Sequence, residues 1–390
     1  MGQPTAAERL NILMAAGVPK RREGGVATIV FNLGQELEQL GHRVTYIFLE
    51  DLVEPNATSM RFFELVFSFR LAQYISRNPE RFSVVNLHAP AGLIYGVRRR
   101  WKGNAGWPPY VMTLHGLEER RVHVMSREAK KGRAWHFSWK NRLWHRLYHF
   151  PRFRWSIRTA DGAHAYSRDV WNTLQLKYNL DSNRVAYIPN GVERRFFAPR
   201  EYESRGELRL LYAGTWLDQR GIFYLRDALG KLAPRISGLT MTIAGPGAPP
   251  EEILRFFGKD LAARVAVQPT VPAERMPELF AEHDIFVFPS LMEGLPSVLL
   301  EAMASGMPVI TTETCGMPDV VENNLNGLLI PPADADALEQ AILCLANSEE
   351  LRRRLGERAR ECMQRYTWER AGKQLEGLFR QVILTNGTFV

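Results

Sequence analysis

Cysteine is scarce: Cys315, Cys344 and Cys362 are the only three in 390 residues, widely spaced and odd in number. That excludes a disulfide framework or a paired-thiol metal knuckle and leaves them as reduced bystanders. Long apolar runs are also missing. No stretch approaches the ~20 residues of a membrane span, and Met1 to Asn11 lacks the basic start and apolar segment of a secretory signal, so the expected location is the cytoplasm. Gly24-Gly25 at the first helix entrance is not a G-x-G-x-x-G fingerprint, and no G-x-x-x-x-G-K-[ST] loop occurs. Dinucleotide and P-loop readings therefore lose support. Acidic residues nearly vanish between Arg120 and Arg158, where Glu128 is the single acid.

What is present is ordinary for a globular protein, with 45% hydrophobic and 24% charged residues. The length favours two domains. A net charge of +8 and a pI near 9.5 favour an anionic partner, whether a nucleotide, a membrane surface or a nucleic acid.

The stretch from Asp284 to Thr312 is the most informative. Ile285 to Phe288 and Pro308 to Thr312 are short apolar runs that flank a helix over Leu295 to Ser305, with Pro296 in its first turn. Such a βαβ unit suits parallel strands buried on both faces, with ligands held beyond their carboxyl ends, here at the loop Pro289 to Leu295. Ser297, Glu301 and Ser305 recur at i, i+4 and i+8 as a narrow polar stripe on an otherwise apolar helix. Glu301 is either an ordinary solvated carboxylate or one facing a cleft, and the scarcity of polar surface around it favours the cleft. Glu293 precedes it by eight residues, beside a helix start suited to phosphate. Two carboxylates next to an anion site suit the hydroxyls of a sugar or ribose.

The segment Glu293-Gly294-Leu295-Pro296-Ser297-Val298-Leu299-Leu300-Glu301 resembles the paired-glutamate motif of the retaining glycosyltransferases of family 4, also called glycosyl transferases group 1. The resemblance implies an α/β fold of two Rossmann-like domains facing across a cleft, the glycosyltransferase B fold. It further implies that Glu293 binds donor-sugar hydroxyls, that Gly294, Leu295, Pro296 and Ser297 approach sugar and phosphate through their backbone, and that Glu301 holds the ribose of a nucleotide sugar.

The rest of the chain divides accordingly. A strand over Leu10 to Ala16, a helix over Val26 to Leu40 and a strand over Val44 to Leu49 open the first domain, and Leu208 to Ala213, Phe223 to Leu232 and Leu239 to Ala244 repeat that opening. The expected boundaries are 1–192 for an acceptor-side domain, with 369–390 crossing back onto it, and 206–368 for a nucleotide-sugar domain. The polar stretch Glu193 to Glu207 is the expected linker. By the resemblance, Gly24 and Gly25 approach donor phosphates or acceptor. His115, delivered to a strand end by Tyr110 to Leu114, lies near the transferred sugar; by itself a lone histidine there is as well read as structural. Gly214 to Gly221 occupies the place of the family's basic phosphate loop, with Thr215 standing for its arginine and Arg220 for its lysine. Gly245 and Thr270 line the nucleotide pocket. His115, Glu293 and Arg220 are the catalytic candidates.

No cofactor or metal is expected: Asp334-Ala-Asp336 follows two prolines and precedes a helix, so Asp334 reads as an N-cap. Trp139, Leu143 and Leu147 recur at i, i+4 and i+8 among arginines, as in a basic amphipathic helix. Docking on the domain's own core is one reading of Arg120 to Arg158, and contact with an anionic membrane on its inner face is the other. The function expected is transfer of a sugar from a nucleotide-diphosphate donor to a glycan or lipid-linked acceptor, with no nucleic-acid partner. The alternatives are a sugar-nucleotide epimerase on a similar fold and a basic nucleic-acid-binding protein.

Overall fold

The computed structural model describes residues 9–20, 25–54, 63–134, 137–198, 200–202 and 206–386, and Gly24 lies outside them. The chain forms two compact units, one of Met1–Glu118, Trp144–Asn190 and Trp368–Val390, the other of Glu119–Leu143 and Gly191–Thr367.

The first unit holds a six-stranded sheet of β1 (Asn11–Ala15), β2 (Arg43–Ile47), β3 (Val84–His88), β4 (Tyr110–Leu114), β5 (Gly162–Ala165) and β6 (Val185–Tyr187), in the order β2-β1-β3-β4-β5-β6. All its pairings are parallel. Strands β3 and β4 are buried along their whole length, which is why neither alternates between apolar and polar residues. The helix Trp368–Thr385 belongs to this unit, burying Leu375, Leu378, Phe379 and Val382, and its Glu376 pairs with His42 at 3.1 Å.

The second unit holds β7 (Leu208–Ala213), β8 (Leu239–Ala244), β9 (Val265–Gln268), β10 (Ile285–Phe288), β11 (Val309–Thr312) and β12 (Leu328–Ile330), all parallel, in the order β12-β11-β10-β7-β8-β9. Chain direction across this sheet reverses between β7 and β10. Crevices form at such switch points because the following loops leave to opposite faces.

Two expectations need correcting. The stretch 193–202 is not a free linker: Phe196 is buried, Tyr202 donates to the Gly306 carbonyl at 2.6 Å, and Arg200 donates to the Phe280 carbonyl at 2.7 Å. Residues 119–143 group with the second unit and not the first. Glu128 explains why, for it is buried and accepts a hydrogen bond from the Tyr224 hydroxyl at 2.6 Å, while Arg133 pairs with Asp227 at 2.7 Å. A buried carboxylate needs such partners, and they lie on the helix Ile222–Leu232.

The reading of Arg120 to Arg158 as a helix docked by its apolar stripe also fails. Helical turns run over Trp139–Trp144, His145–His149 and Phe150–Thr159, yet Trp139, Leu143 and Leu147 are exposed by 62%, 47% and 68%. The buried side is instead made by Phe153, Ile157 and Arg152, the last paired with Glu64 at 2.9 Å. Asp334, by contrast, caps the helix Ala335–Ala346, accepting from the Ala337 amide at 2.8 Å. Among the described residues no helix is long and apolar enough to cross a membrane.

Candidate active site

In the second unit the loops after β7, β8, β9 and β10 leave the carboxyl end of one sheet, and they carry most of the residues singled out from the sequence. Gly214 donates to the Ala244 carbonyl, Gly245 to the Gln268 carbonyl and Trp216 to the Pro246 carbonyl, at 3.0, 2.9 and 2.7 Å. Thr215, Gly245 and Thr270 are exposed at these strand ends.

The β7 and β10 loops meet at the switch point. The Leu291 amide donates to the Gln219 carbonyl at 2.8 Å, and the Ser290 hydroxyl lies 3.2 Å from the same oxygen. Gly221 makes this approach possible: its φ of +75° suits glycine, and a Cβ there would overlap the Pro289 carbonyl. Locked in this way, Arg220 forms an ion pair with Glu293. Its guanidinium also lies 5.4 Å from the centre of the Phe288 ring. Burial lowers the pKa of Arg220 from its ordinary value, an effect that Tyr212 opposes. An arginine nevertheless keeps its charge. The Ser290 hydroxyl lies 3.3 Å from Glu293 Oε1, the same oxygen that Arg220 meets.

The helix behind this loop runs over Ser297–Ala304, two residues shorter at its start than expected, because Pro296 sits at the N-cap with extended geometry. Gly294, Leu295 and Pro296 are buried and Ser297 is half-buried. The polar stripe is real for Ser297 and Glu301, which are half-buried. Ser305, however, is buried, and its hydroxyl donates back to the Glu301 carbonyl at 2.9 Å. Burial pushes the Glu301 carboxyl up to about 7; Glu193 adds to the shift and Arg195 opposes it. Neither neighbour was singled out as functional from sequence, since both fell in the supposed linker.

In the first unit His115 follows β4, and the structure surrounds it with rings. His88 Nδ1 lies 2.7 Å from His115 Nε2, and Tyr166 stacks on His115 at 4.9 Å between centroids. His164, beyond Tyr166, shares a 2.8 Å hydrogen bond with the Ile188 carbonyl. Burial holds His115 down to about 3, with His164 lowering it further, and holds His164 to about 4. The group is thus neutral at pH 7 and acts through hydrogen bonds, not charge. His88 and Tyr166 escaped the sequence reading, although each sits at the end of an apolar run next to the one that delivers His115, and that shared position is the signal. Gly25, with φ +75°, opens the helix Gly25–Gln39 after β1 in the same unit. The sequence candidates therefore fall into two sets, one in each unit, and direct side-chain contact among them is seen between Arg220 and Glu293.

Against known families, residues 194–362 match the glycosyl transferases group 1 and residues 23–196 match glycosyltransferase family 4. An uncharacterized glycosyltransferase of Methanocaldococcus jannaschii is 24% identical over 359 residues, covering 89% of this chain and 92% of that protein. Sucrose-phosphate synthase of Thermosynechococcus elongatus superposes with a TM-score of 0.77 at 21% identity, over 97% of this chain and all of that one. HepE of Anabaena, solved with UDP and glucose, superposes with a TM-score of 0.66 at 17% identity, over 95% and 99%. At these identities the two solved structures establish a shared fold of two Rossmann-like domains.

Proposed function

The chain belongs to the glycosyltransferases of group 1 and family 4, and from that premise we propose that it moves a sugar from a nucleotide-diphosphate donor to an acceptor with retention of anomeric configuration. The observation that carries this reading is the Arg220–Glu293 pair at the β7/β10 switch point. A diphosphate entering there competes with Glu293 for the guanidinium. As it does so, the carboxylate turns to the sugar hydroxyls, so one event binds both halves of the donor. Negative charge grows on the leaving diphosphate, and Arg220 together with the helix start at Ser297 stabilises it. Glu301 accepts from the ribose hydroxyls, while Thr215, Gly245 and Thr270 border the nucleotide and the Gly294 to Ser297 backbone approaches sugar and phosphate. His115, neutral and oriented by His88, hydrogen-bonds the transferred sugar. In this reading the loop of Gly24 and Gly25 serves the donor phosphates or the acceptor. The reaction uses no metal and no covalent protein nucleophile.

The acceptor in this reading is a cell-surface glycan or a lipid-linked precursor. Exposed Trp139, Leu143 and Leu147 beside Lys140, Arg142 and Arg146 support contact with an anionic membrane surface. Co-sedimentation with anionic but not neutral vesicles, and its loss in an Arg142→Glu/Arg146→Glu variant, is the expected result.

A thermal-shift panel of UDP, GDP, ADP and their sugars tests the donor, with uridine compounds first because HepE is solved with UDP. The right ligand at a hundredfold excess over its dissociation constant adds roughly 3 kcal/mol of apparent stability. Radiolabelled transfer to an acceptor, as opposed to donor isomerisation, then separates a transferase from an epimerase. Absence of any shift across the panel overturns the reading.

A further inference from the structure

Outside the residues assigned to transfer, the first unit gathers a second group of chemically able side chains. Glu118, at the start of the helix Glu118–Lys130, meets His145 and His149, and one ligand-capable atom from each lies within 4.8 Å of the others. His145 is buried, and its Nδ1 lies 2.7 Å from Glu118 Oε1. The two imidazoles sit with centroids 4.6 Å apart.

A histidine–carboxylate bond alone would account for Glu118 and His145. It leaves His149 unexplained. The backbone brings that ring to the same point through a π-helical turn spanning His145–His149, with a histidine at each end. Such turns are rare and concentrate at functional sites. Aromatic walls then hold the second imidazole, with Tyr148 edge-on at 5.1 Å and Trp144 edge-on at 6.3 Å, and Trp144 itself stacks on Tyr148 at 4.4 Å. The neighbouring charges, Arg152 and Glu64, neutralise each other at 2.9 Å.

From this geometry we infer that Glu118, His145 and His149 form a binding site for a zinc-class divalent cation. Two imidazoles and one carboxylate are a three-ligand set that zinc accepts with water in the fourth position, while the nitrogen content disfavours magnesium and calcium. Zinc bond lengths of about 2.0 to 2.2 Å place tetrahedral ligand atoms about 3.3 to 3.6 Å apart. His145 Nδ1 and Glu118 Oε1 lie 2.7 Å apart, and one ligand atom from each of the three residues lies within 4.8 Å of the others, so the separations are on the scale of a coordination shell. The ion would staple the start of the helix Glu118–Lys130 to the helical stretch from His145 to Thr159. None of the three ligands has a part in sugar transfer as proposed above.

The test uses untagged full-length protein stripped of metal by chelation. Titration with Zn²⁺ against a chromophoric chelator is expected to show one equivalent bound, and Co²⁺ substitution to give the visible bands of a low-symmetry nitrogen–oxygen site. Zn²⁺ should also raise the melting temperature of the stripped protein. His149→Ala and Glu118→Gln, at half-buried positions, keep the fold by circular dichroism. Each should weaken binding at least tenfold and abolish the zinc-dependent thermal shift. Failure to bind an equivalent of Zn²⁺, or binding unchanged in both folded variants, overturns the site. Binding that disappears only after alkylation of Cys315, Cys344 and Cys362 does so as well, by assigning the metal to thiols.

Discussion

The two sheets carry different chemistry at their carboxyl ends. At the carboxyl ends of β3, β4 and β5 lie His88, His115, His164 and Tyr166, a group of rings that burial keeps uncharged. Beyond β7 and β10 lie Arg220, Glu293 and Glu301, which are charged or close to titrating. Among the described residues no carboxylate offsets the burial of the histidines in their stack, so the neutral form wins there. Arg220 has Glu293, so both can stay ionised despite limited exposure. The same parallel architecture thus carries neutral, hydrogen-bonded rings in one unit and an ion pair in the other, and the difference lies in whether an opposite charge comes with the buried group.

The largest effect should come from breaking the charged end. Arg220→Ala is expected to lower kcat/KM by about a thousandfold, because it removes the charge facing the leaving group and strands Glu293. Isothermal titration should show nucleoside diphosphates losing more affinity than nucleosides, whereas equal losses would mean a merely structural loop. Glu301→Ala should cost about a hundredfold, mostly through nucleotide affinity, and Glu293→Ala a similar amount, mostly in turnover; steady-state kinetics separate the two.

Glu301 also sets a pH signature. Its folded value of about 7 lies above the ordinary 4.5, so between those values the folded protein holds a proton that the unfolded chain releases. Its contribution to stability is present below about pH 4.5 and is lost as pH rises through 7. Glu301→Gln should flatten that part of a stability-versus-pH curve measured by urea unfolding.

At the neutral end, His115→Ala should slow transfer by roughly ten- to a hundredfold. With His115 held near 3, no step in the pH–rate profile between pH 5 and 8 should disappear in this variant. If one does, the ring titrates in the working range and the contrast between the two ends fails. Smaller again, Gly221→Ala should destabilise the protein by about 1–3 kcal/mol, since it forces an L-residue to φ +75° against the Pro289 carbonyl. Asp334→Ala, remote from either end, should cost about 1 kcal/mol through loss of an N-cap, with kcat unchanged.

Much of this protein is determined by its sequence alone, because local pattern is enough. Largely apolar runs mark β1, β4, β7, β10 and β11 to within a residue or two, as suits strands buried on both faces, whereas β8 alternates and leaves Thr240 exposed. Asp334 is readable as a cap from its neighbours, and the glutamate spacing around Pro296 places a loop and helix start beyond β10. Tertiary structure alone decided the rest. The pairing of Arg220 with Glu293 joins residues 73 positions apart through two loops that Gly221 allows to touch. The shift of Glu301 and the neutrality of His115 come from desolvation by groups remote in the chain, for which periodicity has no signature. The stripe of Trp139, Leu143 and Leu147 shows the limit most directly. Spacing establishes that one helical face is apolar, but whether that face is covered depends on what packs around it, and here Phe153 and Ile157 took the core instead.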